Sequence, residues 1–106
     1  MNIYNRSAII GFYKKHPDCR ETLEKWHYDV CSKSWKKPSD VTRDYNTART
    51  IKNSRAIFKI NGNDYGIIIA INYFKNWVFI KFIGTHAECD KIDAATVNLF
   101  PSKKKK

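Results

Sequence analysis

Cysteine is scarce in this 106-residue chain, and Cys19, Cys31 and Cys89 are too few and too oddly numbered for a disulfide framework. Reduced thiols follow. No uninterrupted apolar stretch reaches membrane-spanning length, and the N-terminus has no apolar core of the secretory kind. The expectation is a soluble, cytoplasmic protein with no membrane partner. Its length holds one domain with a modest core and leaves little room for a second. The loop-rich scaffold that metals usually staple is missing as well. His16, Cys19, His27 and Cys31 have spacings that a zinc site uses, yet His27 and Cys31 equally fit i,i+4 neighbours on one helix. No metal or other cofactor is expected.

Acidic residues are in short supply: ten of them against twenty Lys and Arg give a formal charge of +10. The excess is uneven. Residues 33–59 carry eight Lys/Arg against Asp40 and Asp44, Lys103 to Lys106 add four more, and the first 32 residues are nearly balanced. Positive fields of this kind suit nucleic acid or an acidic protein segment. Within 33–59, Lys36, Lys37, Arg49 and Lys52 are the candidate RNA contacts. The lysine tail reads instead as a solubilising, disordered end. Trp35 and Tyr45 lie among these charges, where they either stack on bases or anchor the segment to the core.

Residue patterning predicts an α+β domain. Met1 to Tyr4 form a short strand, and Asn5 caps a helix that turns Ile9, Phe12 and Tyr13 inward. His16-Pro17 stops it, because proline disfavours helix in the preceding residue and is welcome in the next helix's first turn. That second helix carries Leu23, Trp26 and Val30 at core spacing. Lys33 to Ser54 reads as a long basic loop holding one short helix, from Pro38-Ser39-Asp40 to near Tyr45. Strands follow over Ala56–Ile60, Tyr65–Phe74 and Trp77–Ile83, linked by Asn61-Gly62-Asn63-Asp64 and Lys75-Asn76. The expected sheet is an antiparallel meander with the two helices on one face. Alternation puts Ala56, Phe58 and Ile60 on one side and Arg55, Ile57 and Lys59 on the other. By the same rule Val78, Ile80 and Phe82 share a face opposite Lys81.

The last strand runs into Gly84-Thr85-His86-Ala87-Glu88-Cys89-Asp90. Thr85 and Glu88 have the spacing of a helix capping box, which puts His86 in the first turn beside free backbone donors where a phosphate can dock. A capped helix with a surface histidine is the plainer alternative. Cleaving RNA requires deprotonating a 2′-hydroxyl, stabilising extra negative charge on the phosphate and protonating the departing 5′-oxygen. Histidine exchanges protons near neutral pH, so His86 is the candidate general base or acid. Lys81, Lys59 and Arg55 are the candidate phosphate ligands, since fixed cations stabilise developing charge without a metal. Asp90, one turn beyond His86, either orients its ring or simply stabilises the helix start.

Ala70-Ile71-Asn72-Tyr73, Phe79-Ile80-Lys81-Phe82-Ile83-Gly84-Thr85-His86-Ala87-Glu88 and Asp90-Lys91-Ile92-Asp93 together resemble the C-terminal signature of HigB-type toxins of the RelE superfamily. His16-Pro17-Asp18, Asp29-Val30, Trp35-Lys36-Lys37-Pro38-Ser39-Asp40-Val41 and Phe58-Lys59-Ile60-Asn61-Gly62-Asn63 stand upstream in the family's order. The resemblance implies a RelE/HigB-like toxin domain over residues 1–98, with 99–106 as a basic tail. It also implies a bacterial mRNA endoribonuclease that acts on the ribosome and is neutralised by a HigA-like helix-turn-helix antitoxin. Operator DNA would be contacted only through the toxin–antitoxin complex. Relatives usually have arginine where this chain has Gly66 and Lys81, and tyrosine where it has Cys89. Lys59 stands where they commonly have asparagine, and it can supply a cation from the neighbouring strand. Gly66 therefore keeps open a second reading, a catalytically weakened homologue that binds RNA, the ribosome or its antitoxin. A third is a general nucleic-acid-binding module using Trp35, Tyr45 and the basic loop.

Overall fold

Pro17 sets the break between the first two helices. In the computed structural model, which describes residues 1–98, α1 (Ser7–Lys15) ends at His16, and Pro17–Cys19 make a single 3-10 turn leading into α2 (Arg20–Cys31). Leu23, Trp26 and Val30 are buried at 0, 5 and 0 % exposure, as their helical spacing predicts. Asn5 does not cap α1. The cap position is Arg6, in helical geometry and without a side-chain bond, while the Asn5 amide donates to Ile80 O at 3.0 Å and accepts from Ile80 N at 3.1 Å. An asparagine amide offers the same donor and acceptor as a peptide unit. Asn5 thus extends the sheet edge where the first strand stops.

The sheet has five strands: β1 (Asn2–Ile3), β2 (Arg49–Ile51), β3 (Arg55–Ile60), β4 (Tyr65–Asn72) and β5 (Trp77–Thr85), in spatial order β1-β5-β4-β3-β2. Two features differ from the expected meander. β1 runs parallel to β5, making the sheet mixed, and part of the supposed loop before Ser54 is β2, antiparallel to β3. The β2–β3 link holds Asn53 at φ 66° and Ser54 at φ 55°, left-handed positions that favour short polar side chains. α3 (Pro38–Asp44) starts at its proline as expected.

Ala56, Phe58, Ile60, Ile67, Ile69, Val78 and Ile80 face the two N-terminal helices and form the core with Ile9, Leu23, Trp26 and Val30. The simple alternation fails in β5. Ile80 pairs with Ile69 and Phe82 with Ile68, which leaves Lys81 as the extra residue of a β-bulge. The pattern flips there, so Ile83 joins the core in place of Phe82. Phe82 turns to the opposite face beside Gly84, whose missing Cβ would lie 2.7 Å from the Phe82 ring.

Trp35 belongs to the core, and Tyr45 packs against it, partly buried. Trp35 is 1 % exposed, lies nearly parallel to Phe58 at 6.2 Å between centroids, and donates its indole N–H to Asp44 Oδ2 at 2.9 Å. The Tyr45 hydroxyl donates to the Asp29 carboxylate, and its ring stands edge-on to Phe58. Trp35 is closed to stacking on a base, and Tyr45 is partly buried against Phe58 with its hydroxyl tied to Asp29, so the general nucleic-acid-module reading loses its tryptophan platform.

The same contacts predict an acid sensitivity. The Trp35 N–H holds the Asp44 carboxyl below its ordinary value of 3.8, and the Lys36 backbone N–H does the same for Asp40. A carboxylate whose folded pKa is depressed contributes stability fully above its unfolded pKa, and that contribution is lost as pH falls through the folded value. Wild-type protein should therefore lose more stability between pH 6 and pH 3 than Asp44→Asn, measured by urea unfolding at each pH. Equal losses would remove Asp44 from the account.

A basic groove on the open sheet face

The end of β5 and the short helix after it build the site. α4 (His86–Asp90) starts on a complete capping box: Thr85 N–H donates to Glu88 Oε1 at 2.8 Å, and Glu88 N–H donates to Thr85 Oγ1 at 3.2 Å. His86 N–H donates to Asp64 O at 2.9 Å. These bonds engage the N–H groups of Thr85, His86 and Glu88, and the Glu88 carboxylate occupies the helix end. The carboxylate at that end disfavours the anion docking expected there. The His86 side chain is free for other work: it is 54 % exposed, and its Nε2 lies 3.3 Å from Asp90 Oδ2.

Two glycines let α4 lie close against the sheet. Gly66 pairs with Gly84 across β4 and β5, and a Cβ on Gly66 would stand 2.8 Å from the Cys89 sulfur. Gly66 and Cys89, two of the departures from the family pattern, are therefore one packing feature. The thiol fills the space a side chain at 66 would need. Burial pushes the Cys89 pKa up, and the Asp90 and Glu88 carboxylates add to the shift. That thiol is a packing group and not an activated nucleophile.

Beside α4 a groove of about 670 Å³ opens on the face away from the helices. Arg49 and Lys52 form one wall, Lys59, Gly66 and Ile68 the floor, and His86, Cys89 and Asp90 the other wall. Lys59 pairs directly with Gly66, so its ammonium projects next to the position that carries no side chain. Of the residues singled out in the sequence, His86, Asp90, Lys59, Arg49 and Lys52 meet here. The others do not line the groove. Arg55 is 9 % exposed and donates from Nη1 to Ala94 O at 3.0 Å and Val97 O at 2.6 Å. Lys81 Nζ reaches Asn98 Oδ1 at 3.4 Å, and its pKa is lowered by burial and then by Arg55. Both cations fasten segment 94–98 across the open face. Lys36 and Lys37 are exposed at the start of α3.

Tyr65 and Asp93 also line the groove and were not anticipated. The Tyr65 hydroxyl donates to the Asp18 carboxylate at 2.9 and 3.0 Å, a bond that holds its pKa up to about 12. No local spacing links Tyr65 to Asp18; only the packing of the 3-10 turn against the end of β4 joins them. The four residues with zinc-like spacing part company. The buried Cys19 thiol bonds His16 O at 3.2 Å, while Cys31 is exposed and 3.9 Å from His27 Nε2. Among the described residues no three His, Cys, Asp or Glu side chains converge as a metal site, and no helix is long and apolar enough to cross a membrane.

A search of curated proteins finds no match to this chain. Residues 19–92 match a family model, HigB_toxin, described as the RelE-like toxic component of a toxin-antitoxin system. The matched stretch runs from the 3-10 turn before α2 to just beyond α4 and includes the groove except for its edge at Asp93, Ala94 and Ala95. With well over half its length matched, and with an α+β fold of helices, a five-stranded mixed sheet and a short C-terminal helix consistent with a RelE-like fold, the chain belongs to the HigB toxin family.

Proposed function

We propose that this chain is a ribosome-dependent mRNA endoribonuclease that inhibits translation in the bacterial cytoplasm and works without a metal. A HigA-like helix-turn-helix antitoxin holds it inactive, and operator DNA is reached only through that complex. The observation that carries the reading is the groove itself, in which His86, tied to Asp90, faces Lys59, Arg49 and Lys52. With Nε2 on Asp90, Nδ1 is left for the substrate. It takes the proton of the 2′-hydroxyl as that oxygen attacks phosphorus, and the 5′-oxygen leaves as a proton is returned to it. Lys59, beside the vacant position at Gly66, is placed to meet the charge that builds on the phosphate, while Arg49 and Lys52 hold flanking phosphates. Lys81 and Arg55 act on this scheme through the segment they fasten, which forms part of the groove wall. Lys36 and Lys37 supply long-range attraction.

Inducing the chain without an antitoxin should arrest growth, and His86→Ala should relieve the arrest. Persistent arrest by the His86 variant would count against cleavage and for the second reading, a weakened homologue that inhibits by binding. Gly66 supports that alternative, because it removes the side chain that in relatives is an arginine.

A salt series tests the division of the cations. RNA affinity should fall as salt rises, and removing Arg49 or Lys52 should reduce the slope of log affinity against log salt by about 0.7 each. Removing Lys36 or Lys37 should have the smaller effect, since neither lines the groove. An affinity indifferent to salt would overturn the electrostatic part of the proposal.

A further inference from the structure

The groove uses only part of the open sheet face. At the other end of β5, Trp77, Phe79 and Lys81 occupy alternate positions, and the rings of Trp77 and Phe79 stack at 6.3 Å between centroids with 17° between planes. Tyr4 stands against both, at 5.3 and 5.0 Å, and is 43 % exposed. The Lys81 ammonium lies 5.7 Å from the centre of the Phe79 ring. Across β4 the partners of Phe79 and Trp77 are Ala70 and Asn72, too short to cover the rings. Trp77, Phe79 and Ala70 are all partly exposed, and Asn72 is exposed.

We propose that this shelf of Tyr4, Trp77, Phe79 and Lys81 is a second binding surface, one that stacks the bases of single-stranded RNA. The proposal rests on the reading of RNA as this protein's ligand but not on cleavage. Aromatic rings with a cation beside them match the two parts of a nucleotide, because every base has a flat π-face and every linkage a negative charge. The wider charge pattern favours nucleic acid over an ordinary protein partner. Between Tyr45 and Ala87, the span that forms β2 to β5, six Lys and Arg stand against Asp64 alone. The shelf is distinct from the groove, since none of its residues lines that cavity. Segment 94–98 lies between them: Ala94 and Ala95 edge the groove, and Asn98 meets Lys81 at the shelf. A strand held in the groove that continues past this segment would lay its next nucleotides on Phe79 and Trp77.

Stacking on the shelf has a built-in reporter. Trp26 and Trp35 are 5 % and 1 % exposed, so quenching by a bound base would come from Trp77. The test is titration of the full chain with a short 2′-O-methyl oligoribonucleotide, which has no 2′-hydroxyl to be cleaved, followed by tryptophan fluorescence and anisotropy. Single-stranded probe should quench the emission, whereas the same sequence annealed into a duplex, its base faces hidden, should not. Trp77→Ala and Phe79→Leu should each weaken single-strand binding by about tenfold, the scale of one lost base stack, and Trp77→Phe should retain it. Phe79→Leu keeps the apolar bulk, so it decides the matter if Trp77→Ala folds poorly. Unchanged affinity in Phe79→Leu would overturn the proposal, as would variants that alter self-association or antitoxin binding while leaving RNA binding intact. Loss of cleavage in His86→Ala with quenching preserved supports the shelf whatever the groove does, and shelf variants that cleave normally but bind as wild type condemn the shelf alone.

Discussion

Replacing His86 by alanine should lower mRNA cleavage in a translating system by about 10²-fold or more, the scale expected for losing a positioned acid or base. The fold should survive. The imidazole is exposed and its one polar partner is Asp90, while the backbone bond from residue 86 to Asp64 and the Thr85–Glu88 capping box do not involve the ring. Circular dichroism and a urea midpoint close to wild type would establish that the loss is chemical. Asp90→Asn then tests whether Asp90 positions the ring. If Asp90 positions the ring, its amide should lower kcat and change the pH profile of cleavage while leaving KM alone. Asp90 closes α4 as its last residue, where a carboxylate opposes the helix dipole, so the expected role at the helix start is corrected; if Asp90 does not position the ring, activity should hold and stability should not fall. Full cleavage by His86→Ala would remove the histidine from the mechanism and leave the groove as a binding site.

The second large effect is a gain. Arginine at position 66, combined with alanine at 89, should raise cleavage by about 10²-fold, because a guanidinium at the scissile phosphate stabilises the transition state more than the ground state. The pair is needed because the two positions share one volume. A Cβ at 66 would lie 2.8 Å from the Cys89 sulfur but 3.9 Å from its Cβ, so alanine at 89 clears the space that the thiol fills. Gly66→Arg alone forces Cys89 out of its rotamer or tilts α4, and it should yield a smaller gain at some cost in stability. If neither form gains and the wild type already cleaves at full rate, Lys59 supplies the cation, and Lys59→Ala should abolish the activity. No cleavage from any folded form would favour the binding-only reading.

The sequence by itself determined the local structure. Pro17 and Pro38 marked two helix starts, Thr85 and Glu88 gave α4 its cap, and β-branched and aromatic runs bounded by Asn and Gly drew three of the strands. These signals act over a few residues, through backbone sterics and neighbouring hydrogen bonds, so they are visible in one dimension. The family, too, was legible, because its signature is concentrated in β5 and α4. What lay beyond reach depended on contacts between distant segments. β2 is a strand only because β3 lies beside it, and Asn5, instead of capping α1, serves the edge of β5 at Ile80, 75 residues away in sequence. The bulge at Lys81 reverses the alternation of β5 without any local mark. Sorting the cations was likewise a tertiary matter. Charge and spacing treated Arg55, Lys59 and Lys81 alike, but packing ties Arg55 to the carbonyls of residues 94 and 97, draws Lys81 toward Asn98, and leaves Lys59 in the groove beside the glycine that Cys89 covers.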